Sequence, residues 1–147
     1  MDQELKRAII LDNYQNPINK GLDNTDNYVK HNSHADSCID NIDIAVLFDK
    51  DIIKDIRFDG EACAISTSAT SIMIHTFVGK TINEARDIIK NYENMIDEKE
   101  YDKDVLDSLN VYDDIYKQAN RKNCALLPIE GLKAILDSYE EGKEHNV

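Results

Sequence analysis

The chain has 147 residues, and 29 acidic against 17 basic side chains give it a net charge of −12. That length predicts one domain, residues 1–147, with a core large enough to fold without disulfides. The acidic charge argues against duplex nucleic acid as a partner, because phosphate binding needs a basic surface. With no long apolar run, we expect neither a membrane span nor a secretory signal, which favours a cytoplasmic protein.

The chain contains three cysteines. An odd number cannot pair completely into disulfides, and a reducing compartment keeps thiols free. The thiols are therefore expected to be buried small side chains, nucleophiles or metal ligands.

The first predicted element is a helix over Glu4 to Gln15, with Leu5, Ile9 and Tyr14 near one face. Asn16-Pro17 ends it, because a residue before proline avoids the helical region. The polar stretch 18–36 is expected to be an irregular connection.

A β-hairpin follows. Ile42, Ile44, Val46 and Phe48 alternate with their neighbours, residues 49–51 form a polar turn, and Ile52, Ile56 and Phe58 share parity. Period-2 patterns on both sides of a short turn predict two antiparallel strands with one buried face.

After Gly60 the period becomes helical. One helix buries Ile65, Ala69, Ile72 and Thr76 and ends near Gly79. Thr81 and Glu84 form a capping-box pattern that opens a second helix, whose inward residues are Ala85, Ile88, Ile89 and Tyr92.

The segment 93–114 holds nine acids and two lysines, a net charge of −7. Leu106, Leu109 and Val111 still supply apolar anchors, so short helices are expected there rather than disorder. The last helix is predicted over 128–140, with Pro128 in its first turn, where the missing N–H breaks no helical hydrogen bond.

The thiols and one carboxylate suggest a metal site. Cys38 and Asp40 stand two apart at the entrance to a strand, and Cys63 and Cys124 each precede a predicted helix, where the helix N-terminus lowers a thiol pKa. Together they make one plausible tetrahedral site, whose sulfur ligands suit zinc or iron–sulfur chemistry. The bare pattern still favours three unrelated buried thiols.

Several motifs resemble one known family. They are D-x-Y-x-N-P-x-N-x-G over 12–21, S-C-x-D over 37–40, F-x-G-E-x-C-A-I-S over 58–66 and R-x-x-C-A-x-L over 121–127. In this order they are similar to the iron–sulfur cluster assembly family of NifU N-terminal, IscU and SufU proteins. The resemblance covers nearly the whole chain and makes a shared site the favoured interpretation.

Two features indicate the SufU branch of that family. IscU-type scaffolds carry histidine directly before the third cysteine, whereas Asn123 stands here, and Arg121 resembles an arginine that SufU-type proteins keep. The acidic segment 93–114 resembles the SufU insertion between the second and third cysteines.

The resemblance implies an α+β fold, a small antiparallel sheet with packed helices, which agrees with the patterns above. It implies zinc held by Cys38, Asp40, Cys63 and Cys124, with Cys38 accepting persulfide sulfur from a pyridoxal-phosphate cysteine desulfurase of SufS-like type within the iron–sulfur assembly machinery. A closed four-ligand zinc must release a ligand for transfer, and we expect Cys38, beside the irregular stretch, to leave.

Some residues depart from the family pattern or allow another interpretation. Ile39 and Ala62 replace glycines beside the site, Ile18 replaces a usual arginine, and residues 117–119 replace a more apolar approach to Arg121. Arg121 itself either contacts the desulfurase or neutralises the anionic site within this chain.

Histidines and hydroxyl residues are expected to be structural or solvated rather than functional: His31, His34, His75, Thr67, Ser68 and Ser71. Two other functions stay open: a scaffold assembling a [2Fe–2S] cluster on the same ligands, and a non-catalytic zinc module that regulates the desulfurase.

Overall fold

A computed structural model of the chain describes residues 1–34 and 39–145. Within these residues the chain forms, in order, α1 (Gln3–Gln15), β1 (Val29–His34), β2 (Asn41–Asp49), β3 (Ile52–Glu61), α2 (Ala64–Phe77), α3 (Ile82–Ile96), short 3-10 helices at Lys103–Val105, Asp107–Tyr112 and Ile115–Lys117, and α4 (Ala119–His145). The fold is α+β, as predicted. None of the helices in the described ranges is long and apolar enough to cross a bilayer.

The predicted hairpin is confirmed as β2 and β3, which pair antiparallel from Asp49–Ile52 at the turn to Asn41–Glu61 at the open end. The register shifts beside Phe48, a β-bulge that changes which residues of β3 face the core. Ile53 is therefore fully buried while Ile52 is 44 % exposed, so the predicted inward position of Ile52 is wrong.

A third strand lies where an irregular connection was expected. β1 pairs antiparallel with β2 along the edge of the sheet. Of the six residues of β1, Ser33 is buried, Val29 is half-buried and the other four are exposed, so the strand has no apolar alternation that the sequence could show. Backbone pairing with β2, together with the hydrogen bond from buried Ser33 to Leu127, holds this edge strand.

The helix α1 is present, but the predicted face with Leu5, Ile9 and Tyr14 is not a buried one. Leu5 and Tyr14 are 49 % and 45 % exposed, whereas Lys6 is buried and Ile9 packs half-buried against the core. The Lys6 ammonium donates to Asp113 Oδ1 at 2.5 Å, and this hydrogen bond raises the pKa of Lys6. The buried cation thus ties α1 to the acidic segment.

The helices α2 and α3 agree with the predicted pattern. Ile65, Ala69 and Ile72 of α2 are buried, as are the four predicted residues of α3, whereas the fourth predicted residue of α2, Thr76, is half-buried. Thr81 and Glu84 form the predicted capping box at the start of α3. Gly79, just beyond α2, has a φ of +92°, a conformation that glycine adopts readily.

The acidic segment is ordered by its apolar residues. Two short 3-10 helices, Lys103–Val105 and Asp107–Tyr112, confirm the prediction of short helices in this segment, and Leu106, Leu109 and Val111 are buried, together with Tyr112. The charged residues of this segment are therefore held in place by neighbouring residues that belong to the core.

The last helix is longer than predicted. α4 begins at Ala119, nine residues before Pro128, so the proline lies inside the helix and not in its first turn. Pro128 has no N–H to give to the Cys124 carbonyl, and the Ser66 hydroxyl lies 2.9 Å from that oxygen instead. Nearby carbonyls also receive side-chain donors, Tyr92 to Ala125 and Ser33 to Leu127. These tertiary hydrogen bonds explain how the helix tolerates the proline.

Candidate metal centre

The open end of the hairpin brings two candidate ligands together. Asn41 and Glu61 form the last pair of β2 and β3, so Asp40, just before β2, lies beside the chain that leaves β3. Cys63 follows and is the N-cap of α2. Residues separated by 23 positions in sequence thus become neighbours through strand pairing.

The Asp40 carboxylate is buried, with 1 % of its surface exposed, and both oxygens are engaged. Oδ1 accepts the backbone N–H of Cys63 at 2.7 Å, and Oδ2 accepts the hydroxyl of Ser66 at 2.6 Å. The Cys63 thiol lies 3.6 Å from Oδ2. A carboxylate fixed by two donors presents its remaining lone pairs in a defined direction.

The Cys63 thiol occupies the helix N-terminus that the sequence predicted. Its sulfur accepts the backbone N–H of Ser66 at 3.4 Å, as a capping side chain does. The Cys63 sulfur therefore lies at the end of α2 where backbone N–H groups have no partner within the helix.

Cys124 was predicted to lie directly before the last helix, but it is the sixth residue of α4. Its thiol is half-buried and lies 3.6 Å from the carbonyl of Asn120 in the preceding turn. Burial first, and then the neighbouring Cys63 and Asp40, raise the pKa of Cys124 to about 12. The predicted lowering of this pKa by a helix N-terminus is therefore wrong.

Asp40, Cys63 and Cys124 converge. Within residues 1–34 and 39–145 they form a group whose ligand atoms all lie within 4.8 Å of one another. Tetrahedral zinc with Zn–S bonds of about 2.3 Å would place two sulfurs roughly 3.8 Å apart. Two thiols and a carboxylate whose ligand atoms lie within 4.8 Å of one another are a donor set that fits zinc.

The fourth predicted ligand, Cys38, lies outside the described residues, and so its roles as ligand and sulfur acceptor stay predictions. Its neighbour Ile39 is 76 % exposed, and Ala62, where the family pattern has a second glycine, is half-buried against the core.

Arg121 lies on the exposed side of the first turn of α4. Among the residues that the structure describes, its guanidinium makes no ion pair, so the interpretation that it neutralises this site gains no support. Its role stays a prediction.

The histidines of β1 and α2 are exposed, and the other hydroxyl residues of α2 make hydrogen bonds within the fold. His31 and His34 are exposed on β1 and His75 is exposed on α2, and none of them belongs to the group of ligand atoms found in the described part of the chain. The hydroxyls serve packing: Ser68 bonds Tyr112, Ser71 donates to Asn13 and Thr67 donates to the Ala62 carbonyl.

Ser66 is a site residue that the sequence motifs did not single out, because serine and other small residues are common in α2. It is fully buried and contacts Asp40, Cys63 and Cys124. Its place three residues after the N-cap is where a capping box puts a polar side chain, and that spacing is the signal that would have found it.

Comparison with known proteins identifies the family. The model of the NifU-like N-terminal domain matches residues 5–144. The chain is 34 % identical over 139 residues to the zinc-dependent sulfurtransferase SufU of Bacillus subtilis, covering 94 % of this chain and 93 % of that protein. It is 28 % identical over 100 residues to the iron–sulfur cluster assembly scaffold protein IscU of Thermotoga maritima, covering 68 % and 70 %.

A solved structure agrees. The crystal structure of a candidate iron–sulfur cluster assembly scaffold protein for the SUF system, from Fervidobacterium islandicum, superposes with a TM-score of 0.80 at 35 % identity, covering 87 % of this chain and 93 % of that one. Since the family model spans most of the sequence, this chain belongs to the family of NifU-like N-terminal domains.

Proposed function

We propose that the chain is a zinc-dependent sulfur acceptor, which receives persulfide sulfur from a pyridoxal-phosphate cysteine desulfurase for iron–sulfur cluster assembly. The observation that carries the proposal is the convergence of Asp40, Cys63 and Cys124 within 4.8 Å. The similarity to a protein named as a zinc-dependent sulfurtransferase supports it. We propose that residues 1–147 act as one domain.

In this proposal Cys38, Asp40, Cys63 and Cys124 hold zinc. Three thiolates and a carboxylate around Zn²⁺ leave the site with a charge of −2, so its sulfurs remain electron-rich. When bound, zinc stabilises thiolates at neutral pH, which offsets the raised pKa of Cys124.

We propose that Cys38 is the ligand that leaves the zinc. A buried carboxylate with two donors, a helix N-cap and a helix interior hold the other three ligands. The freed Cys38 thiolate attacks the outer sulfur of the desulfurase persulfide. The bond between the two persulfide sulfurs breaks, the desulfurase cysteine leaves as a thiolate, and Cys38 carries the new persulfide, so no oxidant or reductant is consumed.

Intact-mass measurement tests the transfer. After mixing with a cysteine desulfurase and free cysteine, the wild-type chain is expected to gain one sulfur atom, and Cys38→Ala to gain none. Wild-type protein incubated without free cysteine is the control. Sulfur acceptance by Cys38→Ala would contradict the role given to Cys38, and a wild-type chain that accelerates the desulfurase without gaining sulfur would indicate a purely regulatory zinc module.

A scaffold for a [2Fe–2S] cluster is the second candidate, favoured by the similarity to proteins named as IscU scaffolds. The same ligands would hold the cluster, and Arg121 would in either case be placed to meet a partner from the exposed side of α4. Colour separates the two functions: a colourless protein with zinc supports sulfur transfer, and a brown protein with iron supports the scaffold.

A further inference from the structure

Ser66 contacts every member of the described ligand group. Its backbone N–H points to Cys63 Sγ at 3.4 Å, while its hydroxyl oxygen lies 2.6 Å from Asp40 Oδ2 and 2.9 Å from the Cys124 carbonyl. The side chain is fully buried. All of these contacts are between atoms of the protein.

The hydroxyl carries one proton but faces two acceptors. The carboxylate is nearer and charged, and hydrogen bonds to ionised acceptors are roughly twice as strong as neutral ones. The Ser66 hydroxyl therefore donates its hydrogen bond to Asp40 Oδ2.

The second acceptor exists because of Pro128. In an unbroken helix the N–H of residue 128 would bond the Cys124 carbonyl, but proline has none. The carbonyl of Cys124, itself a candidate metal ligand, thus lacks this helical partner and lies 2.9 Å from the Ser66 hydroxyl. One side chain thereby links the carboxylate at the end of the sheet to the helix that carries the second thiol.

We propose that Ser66 is a positioning residue of the metal site, which aims the Asp40 carboxylate at the metal through its hydroxyl. The inference rests on the proposed zinc site. Polar groups that orient ligating carboxylates commonly contribute a factor of about 10–100 in metal affinity. Ser66 is expected to contribute a factor of this size without touching the metal itself.

The test compares Ser66→Ala with Ser68→Ala. Both changes remove a buried hydroxyl from α2, but Ser68 bonds Tyr112 and not the ligand group. Zinc affinity is measured by competition with a chromogenic chelator, and the metal-free unfolding temperature reports the loss of structure. We expect Ser66→Ala to bind zinc about 10–100-fold more weakly and Ser68→Ala to bind like the wild type, although both lose stability.

Cobalt(II) gives a readout that does not respond to general destabilisation of the fold. With cobalt in place of zinc, the visible d–d bands report ligand geometry, and they are expected to change in Ser66→Ala but not in Ser68→Ala. Unchanged affinity and bands in Ser66→Ala, with zinc bound by the wild type, would overturn the role of Ser66 alone. A wild-type chain that binds no zinc would overturn the proposed function as well.

A double-mutant cycle shows whether Ser66 acts through Asp40. In the Asp40→Ala background, Ser66→Ala should weaken zinc binding by less than about threefold, because the hydroxyl has no carboxylate to aim. The same 10–100-fold loss in both backgrounds would contradict the inference.

Discussion

The Cys124 thiol shows how the site combines burial with charge. Burial, the Cys63 thiol and the Asp40 carboxylate all disfavour its ionisation and raise its pKa to about 12. At neutral pH the metal-free thiol therefore keeps its proton, and a metal must displace that proton to bind. The Cys124 thiol makes metal binding a proton-releasing reaction.

This proton release predicts a pH dependence of zinc affinity. Because neutral pH lies far below a pKa of about 12, displacing the Cys124 proton alone should strengthen binding about tenfold for each unit of rising pH, and the total affinity should rise at least that steeply. Chelator competition across the neutral range, corrected for the chelator's own protonation, measures the slope. An affinity that does not change with pH would contradict the environment assigned to Cys124.

Gly60 places the end of the hairpin beside Asp40. Its φ is +133°, and a side-chain carbon there would overlap the Asn41 carbonyl oxygen. The backbone of Asn41, next to Asp40, therefore passes too close to residue 60 for any side chain to fit between them. A glycine at this position is a condition for the site geometry.

Gly60→Ala is expected to lower the free energy of unfolding by about 2–4 kcal/mol, since strain and a backbone clash add. Gly142→Ala is the control, because that glycine lies in α4 with nothing within 4 Å of an added carbon. It should leave stability unchanged or raise it by up to about 1 kcal/mol. Chemical denaturation measures both, and equal stability of the two variants would refute this account of Gly60.

Among the elements, α4 depends most on its neighbours. Beside Pro128 its carbonyls lie within hydrogen-bond distance of hydroxyls from three other elements: Ser33 of β1, Ser66 of α2 and Tyr92 of α3. A helix that contains a proline is thereby fixed against the rest of the fold near Cys124. Each hydroxyl is expected to contribute to stability.

Tyr92→Phe tests this for one hydroxyl. The variant keeps the ring, which packs edge-on against Tyr112, but removes the donor to Ala125. We expect a loss of about 1–2 kcal/mol in the free energy of unfolding, the usual range for an unsatisfied buried acceptor. Tyr14→Phe, at a ring that is 45 % exposed, should change stability by less than about 0.5 kcal/mol. A Tyr92→Phe protein as stable as the wild type would argue against the contribution of these hydroxyls.

Local signals explain which elements the sequence could predict. The capping box of α3 and the alternation of β2 act within a few residues, and both are present. The partners that decide the other elements are distant in sequence: Lys6 donates to Asp113, and the Cys124 carbonyl that Pro128 cannot bond lies beside Ser66. β1 is held by backbone pairing at a polar edge, which leaves no side-chain pattern to detect.

The candidate site was predictable for a similar reason, though only in part. Cysteine and aspartate are few enough for their spacing to stand out, and the structure brings Asp40, Cys63 and Cys124 together. Ser66 was not predictable by residue type, since serines are common in α2, and its role follows from contacts that only the folded chain creates.

At the scale of the molecule, the ligand group joins three parts of the chain: the entrance to β2, the start of α2 and the second turn of α4. A ligand set drawn from such separate elements exists only in the folded protein. Metal binding should therefore favour the folded state, which binds the ion, over the unfolded chain, which does not.

Zinc is accordingly expected to raise the unfolding temperature of the whole chain. At a free zinc concentration 100 times the dissociation constant, the added stability is about 2.7 kcal/mol. Differential scanning calorimetry with zinc and after chelation measures the shift. Cys63→Ala should show a much smaller shift than the wild type, and an equal shift in both would place the bound zinc elsewhere.

The central claim is that Asp40, Cys63 and Cys124, together with Cys38, form one zinc site. Native mass spectrometry of the purified chain tests it most directly, because it counts metal ions on the folded protein. The account predicts one zinc per wild-type chain and none in the Asp40→Ala/Cys63→Ala/Cys124→Ala triple variant. A wild-type chain without zinc, or a triple variant that still carries it, would contradict the claim.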